Sequence, residues 1–235
     1  FKQSQMSKTV IITGAAGSLG TAVVQKFLDL GYKVIATVRP GFDRPFIQHL
    51  SLELVEVDLT DEADVQHFVE KTAEKHPHLD AAVLLAGGFA MGGVSETSQH
   101  KLHQMIRLNF DTAFNVARAV YDRMMRQPDG GRIVFIGGRP ATDPAAGKDM
   151  MAYSLSKAML QNFSEMLNEA GKNRNIFSTT IIPSIIDTPA NRSAMPEANF
   201  DQWVTTESLA NTIAFTCNEE STDWRQPVIK VYGNS

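Results

Sequence analysis

Short apolar runs rich in β-branched residues recur along the chain, and longer segments with a helical spacing of apolar residues separate them. Most of the runs are nearly continuous, as in VIIT and AAVLLAGG, which is typical of parallel strands covered on both faces. They predict an α/β fold with one doubly wound, seven-stranded parallel sheet, helices on both faces and right-handed crossovers. The predicted strands are 9–13, 33–38, 52–57, 81–85, 132–136, 178–182 and 228–231.

The segments between the strands predict helices with definite ends. One helix is expected over 19–30, where Gly31 ends it. Another starts after Thr60, the predicted N-cap, with two acidic residues in its first turn. A long helix is predicted over 99–125 and a further one over 151–170. The alternation implies a helix on every crossover between consecutive strands.

The bulk composition fits one globular domain. The 235 residues include 43% hydrophobic and 20% charged side chains, which suits a single large core. We expect residues 8–235 to form this domain and residues 1–7 to be a flexible N-terminus or a tag remnant.

The net charge of −4 offers no basic field to a nucleic acid, and no apolar run is long enough to span a membrane. A single cysteine and no signal-peptide pattern predict a cytoplasmic protein.

A glycine-rich turn, TGAAGSLG at 13–20, joins the first predicted strand to the first predicted helix. Gly14, Gly17 and Gly20 permit a tight turn, close approach of a pyrophosphate and close packing of the helix on the strand. Ser18 and Leu19 open the helix, whose free N–H groups and dipole favour a phosphate. A turn that uses glycine only for packing is the alternative. After the first strand of a doubly wound chain, the turn predicts a Rossmann-type dinucleotide site.

The residues after the second predicted strand bear on which dinucleotide binds. A site for NAD usually has an acidic residue there to bind the ribose hydroxyls, and this chain has Arg39. A guanidinium suits a 2′-phosphate, so NADP(H) is the preferred cofactor. Asp43 is near enough in sequence to keep NAD(H) possible, and a solvated surface arginine is the alternative interpretation of Arg39.

Tyr153 and Lys157 lie one turn apart on the same face of the predicted helix over 151–170. A phenol has an unperturbed pKa of about 10, and bringing it to about 7 requires about 4 kcal/mol of preferential stabilisation of the anion. A nearby ammonium and a positively charged nicotinamide can supply it. The same spacing also occurs on ordinary amphipathic surfaces. Its place on the helix after the fifth strand favours a proton-transfer pair.

These motifs resemble those of the short-chain dehydrogenase/reductase family over nearly the whole chain. The matching segments are TGAAGSLG at 13–20, VDLT at 57–60, LAGG at 85–88, LNF at 108–110, GRIVFIGG at 131–138, YSLSK at 153–157 and IIPSIIDTP at 181–189. The resemblance implies an NAD(P)H-dependent oxidoreductase that acts on a small molecule as a homodimer or homotetramer. Tyr153, Lys157 and Asn109 would be its catalytic residues, and Asn109 would interrupt its helix and hold a water that links Lys157 to solvent.

The resemblance also implies a set of cofactor contacts. Asp58 and Leu59 would contact the adenine, while Ala86 and Gly87 would lie at its ribose. Ile186 and Thr188 would contact the nicotinamide carboxamide. The full predicted set is Gly14, Gly17, Ser18, Leu19, Gly20, Arg39, Asp58, Leu59, Ala86, Gly87, Gly88, Pro183, Ile186 and Thr188. No metal is expected, because the histidine pairs at 76–78 and 100–103 lack a cysteine or acidic partner.

The chain departs from the family pattern at the end of the fifth predicted strand. The family normally has a serine there that binds the substrate carbonyl, and this chain has Gly138. The dihydropteridine reductase branch lacks that serine, and segments 86–93 and 187–203 are also similar to that branch. The resemblance therefore implies a quinonoid dihydropterin-type acceptor. Phe89 could stack on it in a pocket shared with Gly138, although a core or lid role for Phe89 is equally compatible.

Two other functions stay open at this point. One is a general carbonyl or quinone reductase of the same family, in which Thr142 or Ser184 replaces the missing serine. The other is a non-catalytic dinucleotide sensor that has kept the fold and lost turnover. Tyr153, Lys157 and Asn109 argue against a sensor, because binding alone does not need a proton-transfer group.

Overall fold

Parallel strands form the central sheet of the structure, a computed structural model that describes residues 7–218, 221 and 225–234. The described strands are β1 (Thr9–Thr13), β2 (Lys33–Val38), β3 (Leu52–Glu56), β4 (Ala81–Leu84), β5 (Gly131–Ile136), β6 (Ile176–Pro183), β7 (Ile186–Asp187), β8 (Val204–Thr205) and β9 (Val228–Val231). Seven of these described strands form one sheet in the order β3-β2-β1-β4-β5-β6-β9, and β7 pairs with β8. The chain reverses its direction of winding at β1, which leaves a crevice at the carboxyl ends of β1 and β4.

Helices cover both faces of this sheet. In the described residues they are α1 (Ser18–Asp29), α2 (Glu62–Lys75), α3 (Gln99–Ile106), α4 (Thr112–Met124), α5 (Pro144–Gly147), α6 (Met151–Ala170), α7 (Pro189–Ala194) and α8 (Thr206–Thr216). Val10 and Ile12 of β1 pack on the face that α1 and α8 cover. Ile11 packs on the opposite face, against α2, α4 and α6. This two-sided burial explains the nearly continuous apolar runs, and it confirms the predicted fold class.

The prediction of a helix on every crossover is wrong between β2 and β3, where residues 39–51 form no helix. Pro40 and Pro45 lack the N–H group that a helix interior needs. Gly41, between them, has a left-handed φ of 75°. The crossover is therefore a loop, and it starts with Arg39 at the carboxyl end of β2.

Two helix boundaries also differ from the prediction. The carboxylate of Asp61 accepts a hydrogen bond of 3.0 Å from the backbone N–H of Asp64, so Asp61, and not Thr60, caps α2. The hydroxyl of Thr60 donates instead to Asp58, at 2.7 Å. The helix predicted over 99–125 is two α-helices, α3 and α4, joined by the π-helical segment Arg107–Asp111.

The segment predicted to be flexible or tag-derived, residues 1–7, lies outside the described residues except for Ser7, which is exposed. The predicted domain over 8–235 is described except at positions 219–220, 222–224 and 235. Among the residues that the structure describes, no helix is both long enough and apolar enough to cross a membrane.

We predict that Asp61→Ala lowers the free energy of unfolding by about 1 kcal/mol, because an N–H group in the first turn of α2 loses its acceptor. Asp61→Asn should cost less than half as much, since an amide oxygen can still accept this bond. Urea denaturation followed by circular dichroism measures both values. Equal losses in the two variants would show that the charge of Asp61 matters rather than its hydrogen bond.

Candidate active site

The glycine turn between β1 and α1 is packed directly against the loop after β4. Gly14 has a left-handed φ of 65°, and a Cβ atom there would lie 2.7 Å from the backbone nitrogen of Ala86. A Cβ on Gly20 would run into the carbonyl oxygen of Gly14. Gly17 and Ser18 are exposed, and Gly17 caps α1 without a side-chain acceptor for the helix's first N–H groups. The first turn of α1 therefore offers backbone donors at the crevice, with Leu19 half-buried beside them.

Thr13, at the end of β1, holds the loop after β4 in place. Its hydroxyl accepts hydrogen bonds from the backbone N–H groups of Leu85, at 3.1 Å, and Ala86, at 3.3 Å. Gly87 is exposed and Gly88 half-buried at the same edge of the sheet. Sequence reasoning missed Thr13, and its place as the last residue of a buried strand was the available signal.

The predicted adenine-side residues lie along the carboxyl ends of β2 and β3. Arg39 is exposed immediately after β2. The carboxylate of Asp58 is exposed and accepts hydrogen bonds from the backbone and hydroxyl of Thr60, which hold its pKa below the usual range. Leu59 is half-buried, and its carbonyl accepts a bond of 3.0 Å from Asn115. The structure thus brings these residues to the edge that carries the glycine turn.

Asn109 lies in the π-helical segment between α3 and α4 and is completely buried. Its side-chain oxygen accepts a hydrogen bond of 2.8 Å from the backbone of Gly88. Its side-chain nitrogen donates to the hydroxyl of Ser156, at 2.9 Å. Asn109 therefore joins the loop after β4 to α6. Sequence reasoning missed Ser156, although it lies inside the YSLSK motif.

Lys157 is buried in α6 with its ammonium aimed at the sheet. Its Nζ donates a hydrogen bond of 2.8 Å to the carbonyl oxygen of Ile136, the last residue of β5. Burial lowers the pKa of Lys157 to about 8. Its Nζ lies 6.0 Å from the centre of the Tyr153 ring. The lysine is therefore mostly charged at neutral pH, with the phenol as a near neighbour.

Tyr153 reaches the end of β5 at Gly138. Burial raises the pKa of Tyr153 to about 12, so the phenol keeps its proton at neutral pH. A Cβ atom at position 138 would lie 2.6 Å from Tyr153 Oη, closer than atoms can approach. Phe89 meets the Tyr153 ring edge-on, with 5.0 Å between ring centres, and is 59% exposed. Tyr153, Gly138 and Phe89 therefore form a single surface at the crevice.

The loop that carries Phe89 also contacts the start of α6. The backbone N–H of Gly92 donates to the carbonyl of Asp149 at 2.7 Å, and the N–H of Met151 donates to the carbonyl of Gly92 at 2.9 Å. Met151 is the first residue of α6, whose N-cap, Met150, makes no side-chain cap bond. The Gly92 carbonyl thus satisfies one free N–H of the helix that holds Tyr153.

The two hydroxyls considered as replacements for the missing serine are already hydrogen-bonded. Thr142 donates to the carbonyl of Arg139 at 3.0 Å, and Ser184 donates to the carbonyl of Tyr232 at 2.8 Å. Pro183 is the buried end of β6, and Ile186 lies in β7. Thr188 caps α7 by accepting a hydrogen bond of 3.2 Å from the backbone of Asn191. Pro183 thus ends β6, and the other four residues lie beyond the end of β5 or β6.

Within the part of the chain that the structure describes, no three His, Cys, Asp or Glu side chains are grouped to hold a metal ion. The arrangement is instead a crevice with helix donors at one end and a half-buried phenol beside a buried ammonium at the other. Residues 8–199 match the model of the family described as short chain dehydrogenase. The chain belongs to the short-chain dehydrogenase family. It is accordingly an NAD(P)-dependent oxidoreductase of a small-molecule substrate.

The curated proteins that are similar to this chain have several different activities. Dihydropteridine reductase of Dictyostelium discoideum is 28% identical over 232 residues, covering 96% of this chain and 94% of that protein. The 2,3-dihydro-2,3-dihydroxybenzoate dehydrogenase of Escherichia coli (strain K12) is 30% identical over 187 residues, covering 79% and 72%. Acetoacetyl-CoA reductase of Acinetobacter sp. (strain RA3849) is 28% identical over 190 residues, covering 77% and 75%.

Solved structures show the same fold at lower identity. ElxO with NADP bound superimposes with a TM-score of 0.86 at 22% identity, covering 97% of this chain and 98% of that one. The ligand-free aldohexose dehydrogenase of Thermoplasma acidophilum gives a TM-score of 0.82 at 22% identity, covering 97% and 94%. The short-chain dehydrogenase fold therefore extends over nearly the whole chain.

We predict that Lys157→Met stabilises the protein by about 1–3 kcal/mol at pH 7, because the variant no longer buries a charge. The pKa of Lys157 is about 8 in the folded protein, against 10.5 as its ordinary value. Between these values the unfolded chain binds more protons than the folded one, so the wild type gains stability as the pH rises. The advantage of the variant should thus fade from pH 8 to pH 10.5.

Urea denaturation of both proteins at pH 7 and at about pH 10 measures this difference. Lys71→Met, which removes an exposed lysine that contacts Glu74, is the matched control and should show no such pH dependence. A constant difference between Lys157→Met and the wild type at both pH values would show that Lys157 is not desolvated in the folded protein.

Proposed function

We propose that this short-chain dehydrogenase uses NAD(P)H to reduce a quinonoid dihydropterin-type acceptor. The observation that carries the proposal is that Gly138, at the position beside the Tyr153 hydroxyl, supplies no hydroxyl of its own to polarise a ketone. A quinonoid dihydropterin is already a conjugated, electron-poor imine-type acceptor, so it depends less on such a group. The similarity to the dihydropteridine reductase of D. discoideum over 96% of this chain supports the proposal.

The residues of this chain take the following roles in the proposal. A bound NAD(P)H supplies the hydride. Tyr153, whose burial keeps it protonated, donates the accompanying proton from Oη. The Lys157 ammonium stabilises the phenolate that remains, and the carbonyl of Ile136 fixes its position. Asn109 holds α6 against the loop after β4, and Phe89 offers a ring face for a flat substrate.

The residues present fit a dinucleotide. Gly14 and Gly20 form a cradle with no room for a Cβ atom, and the first turn of α1 has backbone donors for a pyrophosphate. We propose that Asp58, Ala86 and Gly87 flank the adenosine, and that Ile186 and Thr188 lie at the nicotinamide. The exposed Arg39 at the end of β2 favours NADP(H), because a guanidinium can pair with a 2′-phosphate.

Reduction of ordinary ketones is the second candidate, because acetoacetyl-CoA reductase is a relative at 28% identity. It would need a hydroxyl or another donor beside Tyr153 for the carbonyl oxygen. Both Thr142 and Ser184 give their hydroxyl protons to backbone carbonyls. The contacts in the structure therefore favour the pterin-type acceptor over a simple ketone.

A homodimer or homotetramer is also part of the proposal. Large apolar side chains are exposed on α6 and on the π-helical segment that follows α3. They are Leu108, Leu155, Met159 and Met166, exposed by 36%, 48%, 39% and 62%. A second copy of the chain would bury this face, since contiguous apolar surface is a feature of subunit interfaces.

We expect quinonoid dihydropterin to be reduced with a much higher kcat/KM than simple ketones and aldehydes, by roughly 30- to 1,000-fold, the usual cost of a missing oxyanion donor. Steady-state assays with both nicotinamide cofactors test this.

Tyr153→Phe should lower kcat for the pterin at least about a hundredfold, because the proton donor is lost. Efficient reduction of ketones without any pterin activity would contradict the proposal, as would near-normal kcat in Tyr153→Phe.

We expect Arg39→Ala to raise the Kd of NADPH about tenfold and to change that of NADH less than twofold, because only NADPH loses a charge-assisted pair. Fluorescence titration of the reduced cofactors measures both constants. Arg44→Ala, which removes an exposed arginine stacked on Phe42, is the matched control. If the two cofactors respond equally to Arg39→Ala, or NADH binds the wild type more tightly, the assignment to NADP is wrong.

A further inference from the structure

Arg139 lies at the carboxyl edge of the sheet, directly after Gly138, whose Cα faces Tyr153 Oη. Its guanidinium carbon is 5.0 Å from the ring centre of Tyr232, the residue after β9. Because β6 lies between β5 and β9, with neighbouring strands about 4.8 Å apart, the side chain extends across the carboxyl end of β6. It therefore lies where ligands bind in a doubly wound sheet.

The guanidinium of Arg139 has no polar partner in the described part of the chain. It is half-buried, and its contact there is with the face of the Tyr232 ring. Arg192, in α7, is different, because its guanidinium makes two hydrogen bonds to the carboxylate of Asp187. Stacking on a ring leaves the N–H groups at the edge of a guanidinium free to donate in its own plane.

The neighbouring hydroxyl groups are not available to donate a hydrogen bond to a ligand oxygen beside Arg139. Position 138 has no side chain, and the hydroxyl of Ser184 already donates to the carbonyl of Tyr232. In the proposed function, the proton of Tyr153 Oη goes to the reacting atom of the substrate. Arg139 therefore keeps several N–H donors available for a ligand at this point.

We propose that Arg139 is a specificity-determining residue that binds a carbonyl or carboxylate oxygen on a planar acceptor. The inference rests on the proposed function, because it places this subsite beside the Tyr153 and Phe89 surface. A planar guanidinium presents two parallel N–H groups, so it favours a ligand with two coplanar acceptors over one with a single isolated oxygen. A pterin ring, with its ring carbonyl beside a ring nitrogen, and a carboxylate both meet this requirement.

Two measurements test the subsite. In steady-state reduction of quinonoid dihydropterin, Arg139→Met should raise KM about tenfold while kcat stays within twofold, because binding is lost and not proton transfer. In equilibrium titrations at saturating NADP⁺, the variant should bind pterin-6-carboxylate and benzoate about tenfold more weakly than the wild type. Arg139→Lys, which keeps the charge and loses the planar fork, should fall between the two proteins.

Arg126→Met is the matched control, because it removes an exposed arginine beyond α4, before β5 begins, at the opposite edge of the sheet. It should leave KM and both binding constants unchanged. Melting temperatures show whether each variant folds, and Arg139→Lys provides the comparison if Arg139→Met does not fold.

The outcomes separate this inference from the proposed function. If the wild type reduces quinonoid dihydropterin and Arg139→Met has an unchanged KM, the subsite is wrong and the proposed function stands. If the pterin is not reduced but benzoate binding depends on Arg139, the subsite stands and the proposed function fails. A fall in kcat and melting temperature with unchanged benzoate binding would mean that Arg139 only anchors Tyr232.

Discussion

The site depends on one buried interaction, the hydrogen bond from the Lys157 ammonium to the carbonyl of Ile136. An ammonium taken out of water needs a strong acceptor, and this one lies at the end of a central strand. The bond joins α6 to the end of β5. Tyr153, one turn earlier on the same face, is carried to Gly138 by the same constraint. Burial lowers the pKa of Lys157 to about 8, as expected for an ammonium withdrawn from water.

The π-helical segment extends this constraint to the other half of the crevice. Five residues wound as a π-helix change the register of the chain between α3 and α4, and Asn109 is completely buried there. Its amide then binds Gly88 on one side and Ser156 on the other. The loop after β4 is held a second time by Thr13 and a third by the pairing of Gly92 with the start of α6. The crevice is therefore preorganised by contacts between elements distant in sequence.

The sheet could be predicted from the sequence because strands that are buried on both faces are nearly continuous apolar runs. Ile11 and Ile12, which pack on opposite faces of the sheet, illustrate this. The cap of α2 was not predictable in this way. Thr60 and Asp61 are both residue types that can cap a helix. Asp61 caps α2, because the hydroxyl of Thr60 donates its hydrogen bond to Asp58. Ser156 and Thr13 act through partners 47 and 72 residues away, which no local pattern reveals. The loop over 39–51 was predictable, since Pro40 and Pro45 both argue against a helix.

Gly138 does more than remove the hydroxyl of a serine, because it also leaves room for the hydroxyl of Tyr153. Any side chain there would meet Tyr153 Oη at 2.6 Å, and the phenol would have to move. Such a movement would change the distance to Lys157 and the edge-on contact with Phe89, because the Tyr153 ring lies 6.0 Å from the Lys157 ammonium and 5.0 Å from the Phe89 ring. Gly138 and the position of the Tyr153 hydroxyl are therefore coupled, so a side chain added at position 138 also changes how the phenol lies relative to Lys157 and Phe89.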